Sequence, residues 1–195
     1  LGEYNGALGE YSWFDKLLIA FFNSVTARTA GFSTVSIATF GQGTLLVIMM
    51  LMFIGASPGS TGGGIKTSTF GVLIGTFWAK IRSFDNVEMF HRTIPKANML
   101  KAISVIVLSF LILNGFFYAM LTTEKSHYFI TVLFETISAF GTVGLSLGLT
   151  EYLSENGKII IIILMLIGRV GPLTIAFALA KPKPKANYAY PEEPV

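Results

Sequence analysis

Two short segments, Thr29-Ala30-Gly31-Phe32-Ser33 and Thr142-Val143-Gly144-Leu145-Ser146, lie 113 positions apart, and each ends an apolar stretch too short to cross a bilayer. The same offset, applied without a gap, aligns Phe21 with Phe134 and, further on, Ile48 with Ile161, Leu51 with Leu164, Met52 with Met165, Ile54 with Ile167 and Gly55 with Gly168. Apolar matches arise cheaply between apolar helices, but two blocks that share one offset define a tandem repeat. Each unit reads as a short helix (15–27 and 127–140), a glycine-containing turn and a helix that crosses the membrane. Glycine lacks a Cβ and takes positive φ at little cost, so such a turn can present its carbonyl oxygens to one side. Irregular backbone at membrane depth survives only where protein buries it or where it lines water. Both turns are therefore expected beside a common aqueous axis.

The membrane setting rests on composition. The chain is 52% hydrophobic and 13% charged, against about 25% charged residues in an ordinary soluble domain. Three stretches reach the roughly 20 apolar residues a span requires: 43–80, 97–121 and 157–180. The first would form a rod about twice the hydrocarbon thickness at about 1.5 Å per residue, so it must break, tilt or extend into the cytoplasm. Lys80, Arg82, His91, Arg92, Lys96 and Lys101 lie between the first two spans, and Lys181, Lys183 and Lys185 follow the last. The positive-inside rule makes both groups cytoplasmic and leaves 1–42 and 122–156 outside. Trp13 and Trp78 suit interfacial belts. The absence of cysteine excludes disulfides, thiolate metal sites and thiol nucleophiles. The chain opens at Leu1 on the outer side without a signal peptide, and a preceding helix is expected in a longer polypeptide.

Inside the over-long first span lies Gly55-Ala56-Ser57-Pro58-Gly59-Ser60-Thr61-Gly62-Gly63-Gly64-Ile65-Lys66-Thr67, through which no helix continues. A phosphate-binding loop would need G-x-x-x-x-G-K-[ST] after a strand; Ile65 breaks that spacing, and the segment before it is apolar. A plain linker is the simpler alternative, and a constriction beneath the turns, built from Gly59, Gly62, Gly63, Gly64 and Lys66, is the preferred one. Arg169 falls on Ala56 at the repeat offset, and an ionisable residue at membrane depth usually has a partner. It is expected to approach the loop and be satisfied by its carbonyls or hydroxyls, with a kink around Gly168, Gly171 and Pro172. Arg28 and Glu135 could pair with neighbours behind the turns. His91 and His127 have no metal-ligand spacing, Ser126-His127 has no orienting acid, and no enzyme site is expected.

The second segment is close to the Thr-Val-Gly-Tyr-Gly run whose carbonyls replace the hydration shell of potassium in channel filters. Together with Thr26-Ala27-Arg28-Thr29-Ala30-Gly31-Phe32-Ser33, the stretch from Ser57 to Thr67 and Gly141-Thr142-Val143-Gly144-Leu145-Ser146, it makes the chain resemble the Trk/Ktr/HKT superfamily of potassium transporters over nearly its whole length. The resemblance implies an all-α membrane protein, the C-terminal half of four fused potassium-channel-like repeats, with the first unit here lacking its leading helix. On that basis 1–42 carries the pore helix and filter of the earlier repeat, 43–84 a broken inner helix with a gating loop at 55–67, and 85–96 a cytoplasmic linker. Residues 97–180 form the second pore repeat and 181–195 a cytoplasmic tail.

The expected activity is passive, gated potassium uptake across a bacterial plasma membrane. Carbonyls of Thr29, Ala30, Gly31, Phe32 and of Thr142, Val143, Gly144, Leu145 would coordinate K+, and Gly59 to Lys66 with Arg169 would gate. The resemblance further implies partnership with the N-terminal half of the same protein, a homodimer, and a cytosolic ring of regulatory subunits that binds adenine nucleotide; this chain itself would hold no cofactor. No nucleic-acid partner is expected. Two rival readings are a secondary transporter whose broken helix holds another solute at midplane and a nucleotide-binding membrane subunit built on the glycine loop.

Overall fold

The computed structural model describes residues 3, 6–82, 87–89, 92–172 and 174. Six helices dominate: α1 (Trp13–Thr26), α2 (Gln42–Phe53), α3 (Thr67–Ile81), α4 (Lys96–Thr123), α5 (Phe129–Gly141) and α6 (Glu155–Val170). Three of the helix starts have a visible local cause. Ser12 and Ser154 cap α1 and α6 by accepting from the backbone N–H of Asp15 and Gly157, which satisfies one of the donors a helix N-terminus leaves unpaired. Pro95, with no N–H to lose, sets the start of α4. Ends are equally local: Gly171, at φ 92°, stops α6.

The repeat is visible in the element boundaries. Short 3₁₀ turns span Ile37–Thr39 and Thr150–Tyr152, and the helices after them begin at Gln42 and Glu155; all three boundaries differ by the offset that aligns the two glycine turns. The copies diverge afterwards. α2 stops at Phe53, whereas α6 runs on to Val170, because only the first copy carries the glycine-rich run.

That run divides the first apolar stretch into α2 and α3. Its two ends are pinned together: Ile54 and Ile65 form an isolated parallel bridge, and the N–H of Ile65 donates to the Phe53 carbonyl at 3.3 Å. Among the described residues, α4 is the one helix long and apolar enough to cross a bilayer unaided, and at about 1.5 Å per residue its 28 residues reach about 42 Å. Only 17% of its most apolar window is buried inside the chain, as befits a helix with most of its surface left to lipid. The stretch 157–180 is helical as far as Val170; residues 173 and 175–195, with Lys181, Lys183 and Lys185, lie outside the described residues, as does His91.

The fold is helical apart from one short hairpin, which lies within the segment 85–96 expected as a linker. Val87–Met89 (β1) pairs antiparallel with Arg92–Ile94 (β2) in the register Val87 to Ile94. Strands of three residues are shorter than the four to eight over which alternation can be read. Burial of Val87 beside α3 gives the hairpin its anchor.

α5 is the centre of the packing, touching α2, α4 and α6. One core cluster joins α2 to Phe134, Val143 and Leu145, and a second joins Phe140 and Leu149 to α4 and α6. The second glycine turn is thus held between the two cores.

Candidate functional site

Both glycine turns begin where a short helix runs out. α5 ends with Thr142 in the left-handed region at φ 52°, its N–H donating to the Ala139 carbonyl, and the N–H of Val143 donating to Ser138. After α1, Thr29 has φ 78°, and the N–H of Ala30 donates to the Thr26 carbonyl. Gly31 and Gly144 follow at φ 75° and 89°. Among the described residues Thr29 and Thr142 are the non-glycine residues with positive φ, so Ala30 and Val143 have negative φ, and the sign alternates along each turn. Alternation of this kind brings successive amides to one side of the chain and carbonyls to the other.

The two turns meet. A Cβ added to Gly31 would lie 2.7 Å from the Val143 carbonyl oxygen and 3.6 Å from the Gly144 Cα, and one added to Gly144 would lie 3.5 Å from the Gly31 Cα. Gly31 cannot be replaced without moving the opposite turn, whereas at Gly144 a Cβ would make ordinary contact and it is the φ of 89° that disfavours any other residue. Val143 and Leu145 are each 3% exposed, anchored in the core behind the second turn. In the first turn Phe32 is 72% exposed instead, and Thr26 supplies the support: its hydroxyl accepts from the Phe32 N–H at 3.0 Å and donates to the Phe32 carbonyl at 2.5 Å. One lone pair of that carbonyl is therefore committed to the protein.

The glycine-rich loop is seated against both turns. Gly63 donates its N–H to Thr142 Oγ1 at 2.9 Å. A Cβ on Gly62 would stand 3.0 Å from the Thr29 methyl group, and one on Gly64 would stand 3.5 Å from the Gly141 Cα. Gly55 faces the loop from the end of α2, where a Cβ would fall 2.0 Å from the Gly63 carbonyl oxygen. Lys66 closes the loop by donating Nζ to the carbonyls of Gly62 (2.7 Å) and Ser60 (3.1 Å). Gly59 is exposed with nothing near its missing Cβ; its φ of 82° is what the turn requires.

Arg169 does not join this arrangement. It is exposed in the last turn of α6 and makes no hydrogen bond or ion pair among the described residues. No hydrogen bond joins it to the loop among the described residues, and the helix C-terminus, where a cation is favoured, suits its position. Its neighbour Gly168 does have a packing role, since a Cβ there would fall 2.0 Å from the Phe140 carbonyl oxygen. Arg28 is exposed, and Glu135 is buried and bonded to Ser146 and Thr150. No cluster of three metal-ligating side chains occurs among the described residues.

Two carboxylates passed over in the sequence brace the N-terminal ends of the helices after each turn. Glu3 accepts from the N–H of Gly41 and the hydroxyl of Thr44, both at 2.7 Å, at the start of α2. Glu124 accepts from the N–H and hydroxyl of Ser154 at the start of α6. Gly41 and Ser154 are related by the repeat offset. The acids are not, so no alignment of the two copies could have found them.

The model of the TrkH cation transport proteins matches residues 3–190 of the chain. The chain belongs to the TrkH family. Among relatives in this family, it is 47% identical over 188 residues to the Ktr system potassium uptake protein B of Vibrio alginolyticus, a match covering 96% of the chain and 41% of that protein. It is 41% identical over 193 residues to the Ktr system potassium uptake protein D of Bacillus subtilis, covering 99% and 43%. The chain thus spans less than half the length of these relatives. The crystal structure of the potassium transporter TrkH from Vibrio parahaemolyticus superimposes on 89% of the chain with a TM-score of 0.78 at 19% identity, using 39% of that structure. That likeness establishes the TrkH-type helical fold.

Proposed function

We propose that the chain is half of the pore-forming subunit of a regulated potassium uptake system in a bacterial plasma membrane. The carbonyls of Thr29, Ala30, Gly31, Thr142, Val143, Gly144 and Leu145 contribute to coordinating the dehydrated ion. Phe32 joins this set through the lone pair that the Thr26 hydroxyl leaves free. The observation that carries the reading is the apposition of Gly31 and Gly144, two left-handed glycines from copies 113 residues apart that approach to Cβ-contact distance. Potassium uptake is what the printed names of the relatives describe, and carbonyl oxygens matched to a dehydrated cation are the means by which such filters select.

The loop from Gly55 to Lys66 acts as the gate beneath the turns, with Gly59, Gly62, Gly63 and Gly64 giving it compactness and Lys66 closing it. Arg169, which forms no bond to the loop, contributes a fixed positive charge on the inner side of the path from the end of α6. The remaining repeats come from the other half of the same protein. The subunit works as a homodimer on a cytosolic ring that binds adenine nucleotide, with its C-terminus cytoplasmic. Lys66 donates to two carbonyls of its own loop, which leaves the rival phosphate-binding reading without its cation.

The test is ion discrimination. In cells expressing the full-length protein, Gly144→Ser is expected to lower the ratio of K+ to Na+ affinity roughly tenfold, about 1.4 kcal/mol of differential binding. An unchanged ratio in a variant that reaches the membrane would remove the filter assignment.

A further inference from the structure

Glu135 is the one carboxylate buried within the helices that carry the turns, at 7% exposure among the described residues, and ion coordination by main-chain carbonyls makes no use of it. A buried carboxylate is costly unless its oxygens are satisfied. Here both are. Ser146 donates its hydroxyl to Oε1 and Thr150 donates to Oε2 at 3.1 Å, with the backbone N–H groups of Leu147 and Leu149 turned toward the same group. Ser146 Oγ in turn accepts from the Gly148 N–H at 2.9 Å and lies 3.1 Å from the Thr150 hydroxyl. The whole return from Leu145 to the 3₁₀ turn at Thr150 is tied to one side chain.

The first copy does without it. At the repeat offset Glu135 falls on Phe22 and Thr150 on Ile37, and only Ser146 keeps its type, as Ser33. The first turn is held from its inner side by Thr26 through Phe32, and Thr26 falls on Ala139. Two turns of matched backbone are thus stabilised by unrelated side chains: a neutral hydroxyl in one copy, and in the other a carboxylate that gathers the outer lip.

The geometry points to Glu135 as the positioning residue of the second turn: it fixes residues 146–150 and, through Ser146, the carbonyl of Leu145 immediately before it. This rests on the reading of residues 142–145 as part of the ion path. A carboxylate suits the task because it accepts only, and every group around it donates. Displacing Leu145 by a few tenths of an ångström alters the cage that separates K+ from Na+ while leaving the inner face of the turn, held by Val143 in the core and by Gly63 on Thr142, in place.

The experiment measures the KM ratio for K+ and Na+ uptake in cells expressing the full-length protein, for Glu135→Leu, Glu135→Gln, Ser146→Ala and Gly144→Ser. Glu135→Leu keeps the volume and removes the acceptors. It is expected to lower discrimination roughly tenfold, the scale of one lost charge-assisted hydrogen bond. Glu135→Gln, which retains one acceptor oxygen, is expected to recover a good part of that loss, which a space-filling role would not produce. Ser146→Ala is expected to lower discrimination on its own and to add little to Glu135→Leu, as members of one network do. An unchanged ratio in Glu135→Leu and Ser146→Ala while Gly144→Ser shifts it overturns this inference alone. An unchanged ratio in all of these variants overturns the ion-path reading beneath it. If Glu135→Leu fails to reach the membrane, Ser146→Ala decides by the same ratio.

Discussion

Thr29 and Thr142 occupy backbone that L-residues with a Cβ avoid, at a cost of about 1 to 2 kcal/mol each. For Thr142 the cap bonds to the carbonyls of Ala139 and Ser138 and a net hydrogen bond of about 1 kcal/mol from Gly63 together offset a cost of that size. Glu3 shows a comparable dependence on distant partners. The Thr44 hydroxyl foremost, with the N–H groups of Gly41 and Ala7, holds its carboxyl below the usual range against the opposing effect of burial. A carboxyl whose folded value is depressed adds stability that is present above its unfolded value, about 4.3, and is lost as pH falls through the folded value. Acidification from about pH 6 to below about pH 4 is therefore expected to lower the thermal midpoint less in Glu3→Gln than in the parent, with Thr44→Val behaving like the variant. Equal pH dependence in all three proteins would mean that the contact does not titrate with folding.

At the scale of elements, α2 and α3 form one apolar stretch broken by twelve residues, 55–66, that fold back on themselves. Pro58 and the five glycines of this segment forbid a continuous helix, and that much is plain in the sequence. The loop's resting place against Thr29 and Thr142 is not, because the contacts run between residues up to 79 positions apart. Removing Gly62 to Gly64 withdraws the bond to Thr142 and is expected to raise basal K+ flux several-fold in vesicles without regulatory subunits. Lys66→Ala, which frees two loop carbonyls, is expected to act in the same direction and more weakly. Basal flux at or below the parental level in both would show that the loop does not restrict passage. The β1–β2 hairpin was illegible for a different reason: its strands are too short for alternation to register, and a tertiary contact at Val87 steadies it.

For the whole molecule, orientation is the property most directly open to test, since the chain contains no cysteine. The exposed Lys96 begins α4 and the exposed Ser126 lies just past its other end. With the basic segment inside, Ser126→Cys is expected to react with a membrane-impermeant maleimide in intact cells, and Lys96→Cys only after permeabilisation. The reverse pattern would invert the topology.

Hydropathy, the break at 55–66 and the duplicated glycine turns could be read directly, because each depends on chain-local physics: transfer to lipid, missing N–H groups and absent Cβ atoms. Which side chains serve those turns could not. Arg169 satisfies every sequence criterion for a partnered charge and has no partner among the described residues, whereas Thr26 and Glu124 looked ordinary and, with Glu135, hold the structure at its tightest points. A hydrogen bond depends on position to within a few tenths of an ångström, and that precision exists only once α2, α5 and α6 have packed. The amino-acid sequence by itself determined that two copies of a bent, membrane-embedded unit form; tertiary packing alone decided that Gly31 meets Gly144 and which carboxylate keeps that meeting in shape.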